Sequence, residues 1–210
     1  MALAAGNEVL DEEHPKALEF NSPSVGILSQ RFPGPGKCQV LDLGAAASST
    51  VAFFSDSACK FYLEDLYRFF IAPRKDGNFD ADGDDELASA IADALSYDDR
   101  ARFDLVLGWD LFSYMERGAI ESLMARVARS CRAGTLLFLT APTGTMMSSI
   151  PARISMTRRG RLRYRSAIDS RNIPNPRLSP TAMESMMPGF RLLHSFLLGD
   201  EIQEFLFSYS

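Results

Sequence analysis

The sequence predicts an α/β fold: a three-layer sandwich on a mostly parallel sheet, with an antiparallel hairpin at one edge. Three observations predict it. Short apolar runs alternate with helical segments between residues 38 and 140, as strand–helix–strand crossovers do. One run, Val40, Leu41 and Leu43, passes at once into Gly44 and a stretch of tiny side chains, Ala45 to Thr50. Two strand-like runs close the chain around Gly199-Asp200, where a hairpin is the economical connection.

The 210 residues suffice for one full α/β domain, read as residues 1–210 with a helical segment at 1–36 and an Arg-rich insertion or lid at 141–180. Hydrophobic content of 46% and charged content of 23% suit a soluble globular chain, and a net charge of −5 argues against a nucleic-acid partner. Cys38, Cys59 and Cys131 are far apart and lack paired spacing, which argues against a disulfide framework or a metal site and for a reducing compartment. Met1 to Gly6 is too short for a signal segment, and no window approaches 18 apolar residues. The expectation is therefore a cytoplasmic protein without a membrane partner. Charge is unevenly placed: 12 acidic residues lie between Glu64 and Asp104, and eight arginines between Arg153 and Arg177. Such runs usually mark solvated surface.

Taken in order, residues 1–20 read as helix. Ser22-Pro23 supplies an N-cap and first-turn proline for a short helix with Val25, Ile27 and Leu28, and residues 31–36 form a linker turn. Val40–Leu43 is a strand and 48–57 the helix after it. Lys60–Leu63 is a strand ending in Glu64-Asp65; residues 66–71 make a helix or turn, 73–85 a loop and 86–95 a helix. Phe103–Leu107 is a strand, Ala119–Arg132 an amphipathic helix with Ala133-Gly134 as its C-cap, and Thr135–Thr140 the most apolar strand. Residues 153–166 alternate as a hairpin turning at Arg159-Gly160. Ser179-Pro180 starts a helix that Pro188-Gly189 stops, and strands follow at 190–198 and 205–209.

With these residues at the turns, the chain resembles the class I S-adenosylmethionine-dependent methyltransferases over residues 38–140 and 181–209. The resemblance implies a Rossmann-like fold and S-adenosyl-L-methionine as cofactor. The family's first strand ends in an acid and a Gly-x-Gly-x-Gly turn; here Asp42-Leu43-Gly44-Ala45-Ala46-Ala47-Ser48 takes that place, with Ala46 and Ser48 replacing two glycines. A methyl group fits there unless Ala46 needs positive φ, which costs an L-residue about 1–2 kcal/mol. Asp65, with Glu64 beside it, falls where the family's second strand ends in an acid that accepts from both ribose hydroxyls. The family's third strand has no clear counterpart, since Asp93-Ala94-Leu95 lies on a helix. Phe103-Asp104-Leu105-Val106-Leu107 matches the fourth, and Gly189-Phe190 the entry to the hairpin.

The resemblance places the methyl-transfer pocket after the fourth strand, at Trp109, Asp110, Phe112 and Tyr114. Asp110 is the candidate base or substrate orienter, or else it caps the following turn. Trp109 and Phe112 are candidates to flank the sulfonium or stack on substrate, or else they are core. Tyr114 is a candidate donor into the pocket. In the insertion, Arg158, Arg159, Arg161, Arg163 and Arg165 are candidates to bind phosphate or carboxylate, implying an anionic acceptor. His14 and His194 sit near no motif. Two other classes stay open: a methyltransferase-like scaffold that acts through partners without turnover, and a nicotinamide enzyme, which lacks its Gly-x-Gly-x-x-Gly. The acceptor and the oligomeric state are not legible.

Overall fold

A computed structural model describes residues 17–32, 37–55, 57–70, 84–157, 160–167, 170–199 and 201–210. In chain order these form β1 (Ala17–Asn21), α1 (Pro23–Arg31), β2 (Cys38–Asp42), α2 (Ser48–Phe53), β3 (Cys59–Leu63), α3 (Leu66–Phe70) and α4 (Asp84–Ala94). Then come β4 (Phe103–Trp109), a 3-10 turn (Leu111–Tyr114), α5 (Arg117–Ala128), β5 (Cys131–Pro142), β6 (Met146–Ser148), β7 (Arg153–Thr157), β8 (Arg161–Arg165) and β9 (Asn172–Pro174). The chain closes with α6 (Pro180–Met186), β10 (Phe190–Leu198) and β11 (Ile202–Tyr209).

The core is a six-stranded sheet in the order β10-β11-β5-β4-β2-β3. Strands β5, β4, β2 and β3 run parallel, and β11 and β10 add an antiparallel edge. This is a Rossmann-like, mostly parallel α/β sheet with a C-terminal hairpin. The strands that read as unbroken apolar runs are those covered on both faces. Along β4, Phe103 and Val106 enter one core while Leu105 and Leu107 enter the other; Leu137 and Leu139 of β5 alternate likewise with Leu136 and Phe138. One face is covered by α3, α4, α5 and α6. The other is covered by α1, the end of α2 and a three-stranded sheet in the order β1-β8-β7. That second sheet occupies a face where the order of elements alone predicts helices.

Several sequence expectations are corrected. Ala17–Asn21 is a strand, not helix: it alternates with period two and pairs with β8, Phe20 opposite Leu162 and Glu19 opposite Arg163. The rest of the segment expected as helical, residues 1–16, lies outside the described residues, as do His14 and most of the expected loop at 73–85. The helix after the small-residue turn ends at Phe53. Helix α5 ends at Ala128, so Ala133-Gly134 caps nothing and lies in β5, although Gly134 does have φ of 85°. There the chain bends because Arg132 N–H donates to Thr135 Oγ1, which itself donates to the Phe103 carbonyl.

The cysteine reading is also corrected. Cys38 and Cys59 form a disulfide, because β2 and β3 are parallel neighbours whose register sets these residues opposite each other, with Cα atoms 4.4 Å apart. Twenty-one residues of sequence hide that adjacency, and the cysteines no longer argue for a reducing compartment. Among the described residues, no helix is long and apolar enough to cross a membrane.

Candidate functional site

The chain leaves β2 at Asp42 to build β3 on one side, then crosses over to lay β4 on the other. Such a reversal opens a crevice at the carboxyl ends of the strands. A cavity of about 490 Å³ lies there, between the turn after β2, Asp65 and Tyr67 after β3, Trp109 at the end of β4, and the strands β7 and β8.

Asp42 holds this corner together. It is 1% exposed, and its Oδ1 accepts from Gly44 N–H at 3.0 Å and from Trp109 Nε1 at 2.6 Å. Burial pushes its carboxyl up to about 7, against the pull of the two donors. Trp109 has φ of 49° and turns its indole back onto the turn. A Cβ on Gly44 would lie 2.3 Å from Trp109 Cδ1. Gly44, expected to admit a ligand, therefore admits the indole, and its N–H serves Asp42. Ala45, Ala46, Ala47 and Ser48 do line the cavity. Ala46 is not at positive φ, so replacing glycine there costs no backbone strain.

The two acids after β3 part company. Glu64 accepts from Ser96 N–H and Oγ at 2.9 and 3.0 Å, and faces away from the cavity. Asp65 lines it, with φ of 37°. Its Oδ2 pairs with Arg68 Nε at 2.8 Å, while Oδ1 is buried without a hydrogen-bond partner among the described residues.

Behind the cavity wall, Asp110 is 4% exposed and accepts from the Tyr67 hydroxyl. Burial raises its carboxyl to about 6, opposed by the Tyr67 hydrogen bond and the Ala152 backbone. Tyr67 lines the cavity, and burial beside Asp110 holds its phenol well above the usual range. Tyr67 was invisible as a site residue in sequence; its only signal is a position two residues after Asp65. Phe112 is 2% exposed, belongs to the helical-side core and is not among the residues that line the cavity. Tyr114 donates to the Ser148 carbonyl at 3.1 Å and packs edge-on against Tyr67, holding the wall from behind.

Of the arginines, Arg158 and Arg159 lie outside the described residues. Arg161 lies 3.8 Å from Glu19 and is not among the residues that line the cavity. Arg163 lines the cavity and is also bound by Glu19, through Nε at 2.9 Å and a terminal nitrogen at 2.7 Å. Arg153 and Arg165 line it too. The β7–β8 hairpin is fastened over the site by Met156 N–H, which donates to the buried Thr50 Oγ1 of α2 at 3.1 Å. His194 stacks on Phe196 along β10, in an exposed position.

No protein-family model and no curated protein matches the chain. Among solved structures it is similar to the 1,6-didemethyltoxoflavin-N1-methyltransferase of Burkholderia thailandensis with bound 1,6-didemethyltoxoflavin and S-adenosylhomocysteine: 18% identity, 90% of this chain and 77% of that one covered, TM-score 0.47. It is also similar to a TehB-like SAM-dependent methyltransferase from Corynebacterium glutamicum, with 11% identity, 89% and 87% covered and TM-score 0.45. A third is a S-adenosylmethionine-dependent methyltransferase from Clostridium acetobutylicum, with 10% identity, 88% of each chain covered and TM-score 0.46. Likenesses this distant concern the course of the backbone, so function has to be argued from this chain's own residues.

Proposed function

We propose that the chain is an S-adenosylmethionine-dependent methyltransferase whose cofactor lies along the Ala45–Ser49 turn, with Asp65 on its ribose. One observation carries this reading: the cavity sits at the reversal of strand order, and Asp65, which lines it, has a carboxylate oxygen without a hydrogen-bond partner among the described residues. A buried acceptor left open costs about 1–3 kcal/mol, which a vicinal diol would relieve. The volume falls within the range of about 300–1,000 Å³ usual for ligand pockets. The cofactor would supply a methyl group on a sulfonium, transferred by in-line displacement.

The chain's own residues then have distinct tasks. The turn and Asp65 orient, and the β7–β8 hairpin excludes water. An oxygen or nitrogen acceptor has to shed a proton. Asp110 would take it through the Tyr67 hydroxyl, which separates Asp110 from the cavity. Asp110 is thus a relay terminus in this reading, Tyr67 the group at the acceptor, and Trp109 a wall of the cofactor end.

The test is calorimetry with S-adenosylmethionine and S-adenosylhomocysteine on the full chain. Micromolar binding, weakened at least about tenfold in Asp65→Ala by loss of a charged acceptor, is the expected result. Absence of binding at millimolar ligand would overturn it. That outcome would favour the second reading, a scaffold without turnover, which has an observation of its own: the indole on Gly44 narrows the turn that a ligand would otherwise use.

A further inference from the structure

Charge on the β7–β8 wall of the cavity is unbalanced. Arg153 and Arg165 stand directly opposite each other in the antiparallel pair, so both side chains leave the same face, and both line the cavity. Cβ atoms of such partners are about 4.5–5.5 Å apart, and like charges so placed destabilise a hairpin. Glu19 answers Arg163 and Arg161 from β1, but β1 sets Ala17 opposite Arg165. Neither Arg153 nor Arg165 has an ion-pair or hydrogen-bond partner among the described residues. Two guanidinium forks on directly paired positions at a cavity wall, with no ion-pair partner among the described residues, suit an oxyanion that accepts from both.

We infer that Arg153 and Arg165 form an oxyanion site, and that the methyl acceptor carries a phosphate or carboxylate group held there. Assigning the anion to the acceptor rests on the methyltransferase reading; the anion site itself does not. The cavity is then bipartite, with small side chains and Asp65 at one end and the arginine pair at the other. S-Adenosylmethionine also has a carboxylate, so the experiment has to separate the two sources.

Inorganic phosphate and succinate are titrated into the full chain at constant ionic strength, with thermal unfolding as readout, because salt alone would screen the repulsion. The expected result is saturable stabilisation of the wild type by one of these anions, which identifies the group. Its apparent affinity should weaken at least about tenfold in Arg153→Gln/Arg165→Gln and persist in Arg161→Gln, on the same strand but outside the cavity. Relief of like-charge repulsion should leave the double variant, without ligand, at least as stable as the wild type at low salt. S-Adenosylhomocysteine should bind wild type and double variant equally.

Stabilisation that is absent from the wild type, or equal in the double variant, overturns the anion site. Loss of S-adenosylhomocysteine affinity in the double variant assigns the pair to the cofactor's carboxylate and overturns the acceptor assignment. If no form binds S-adenosylhomocysteine while the anion results come out as expected, the methyltransferase reading falls and the anion site stands.

Discussion

Asp42 joins two parts of the chain 67 residues apart, through the Gly44 amide and the Trp109 indole on a single carboxyl oxygen. In sequence it reads only as the acid that ends a strand; the indole above it could not be foreseen, because Trp109 reaches it by a left-handed turn at the end of β4. Its chemistry makes a pH prediction. The folded chain holds the Asp42 proton up to about pH 7, whereas the unfolded chain releases it near 3.8, so stability falls as pH rises across that window and levels off above it. Asp110, raised to about 6, contributes the same sign over the lower part. Asp42→Asn keeps an oxygen for both donors. Urea titrations from pH 4 to 8 should therefore show it losing the fall between pH 6 and 7, up to about 1.4 kcal/mol per unit, while the fall below 6 shrinks to roughly half, the part that Asp110 contributes. A wild-type curve that rises with pH there would contradict the assignment. Asp65 differs: its place after a strand was legible, but only the folded chain shows which of Glu64 and Asp65 turns to the cavity.

Elements show the same division. Helix α1 is legible at its start, Ser22-Pro23, and Ser22 Oγ does accept from Val25 N–H at 3.0 Å. The remainder of the cap comes from the far end of the chain. Glu204, fully buried on β11, accepts from Ser22 Oγ at 2.5 Å and Ser24 N–H at 2.7 Å. An acid at a helix N-terminus is favoured there by the exposed amides. Glu204→Ala leaves two buried donors unpaired and should cost ~2–4 kcal/mol by denaturant unfolding, with Glu204→Gln costing less because an amide oxygen still accepts. The sequence predicts helix where β1 lies, because the partner that makes it a strand, β8, is 140 or more residues on. Ala133-Gly134, expected as a helix C-cap, lies within β5, where the positive φ of Gly134 bends a strand rather than closing a helix.

At the scale of the molecule, the sheet puts the disulfide and the cavity at opposite ends. Cys38 and Cys59 begin β2 and β3, whereas Asp42 and Asp65 close them or follow. A cross-link closing a loop of this length contributes about 3 kcal/mol by the chain-entropy account. Reduction should therefore lower the unfolding free energy measured in urea by roughly that amount and leave S-adenosylhomocysteine affinity unchanged. A large loss of affinity on reduction would show that the strand ends do not behave independently.

By itself the sequence determined the layered architecture, the strand, small-residue turn and helix that begin at Val40, the hairpin within 153–166 and the closing strands. Each depends on local periodicity, a small-residue turn or a proline and glycine, all of which act over a few neighbouring residues. Only the tertiary structure decided that an indole covers Gly44, that Glu64 turns away and Asp65 does not, that Tyr67 stands between Asp110 and the cavity, and that Arg153 and Arg165 meet no acid among the described residues. These facts concern residues brought together across the sheet from distant parts of the chain. Their energies are fixed by burial and by which partner arrives, and neither is carried by a residue's own neighbours in sequence.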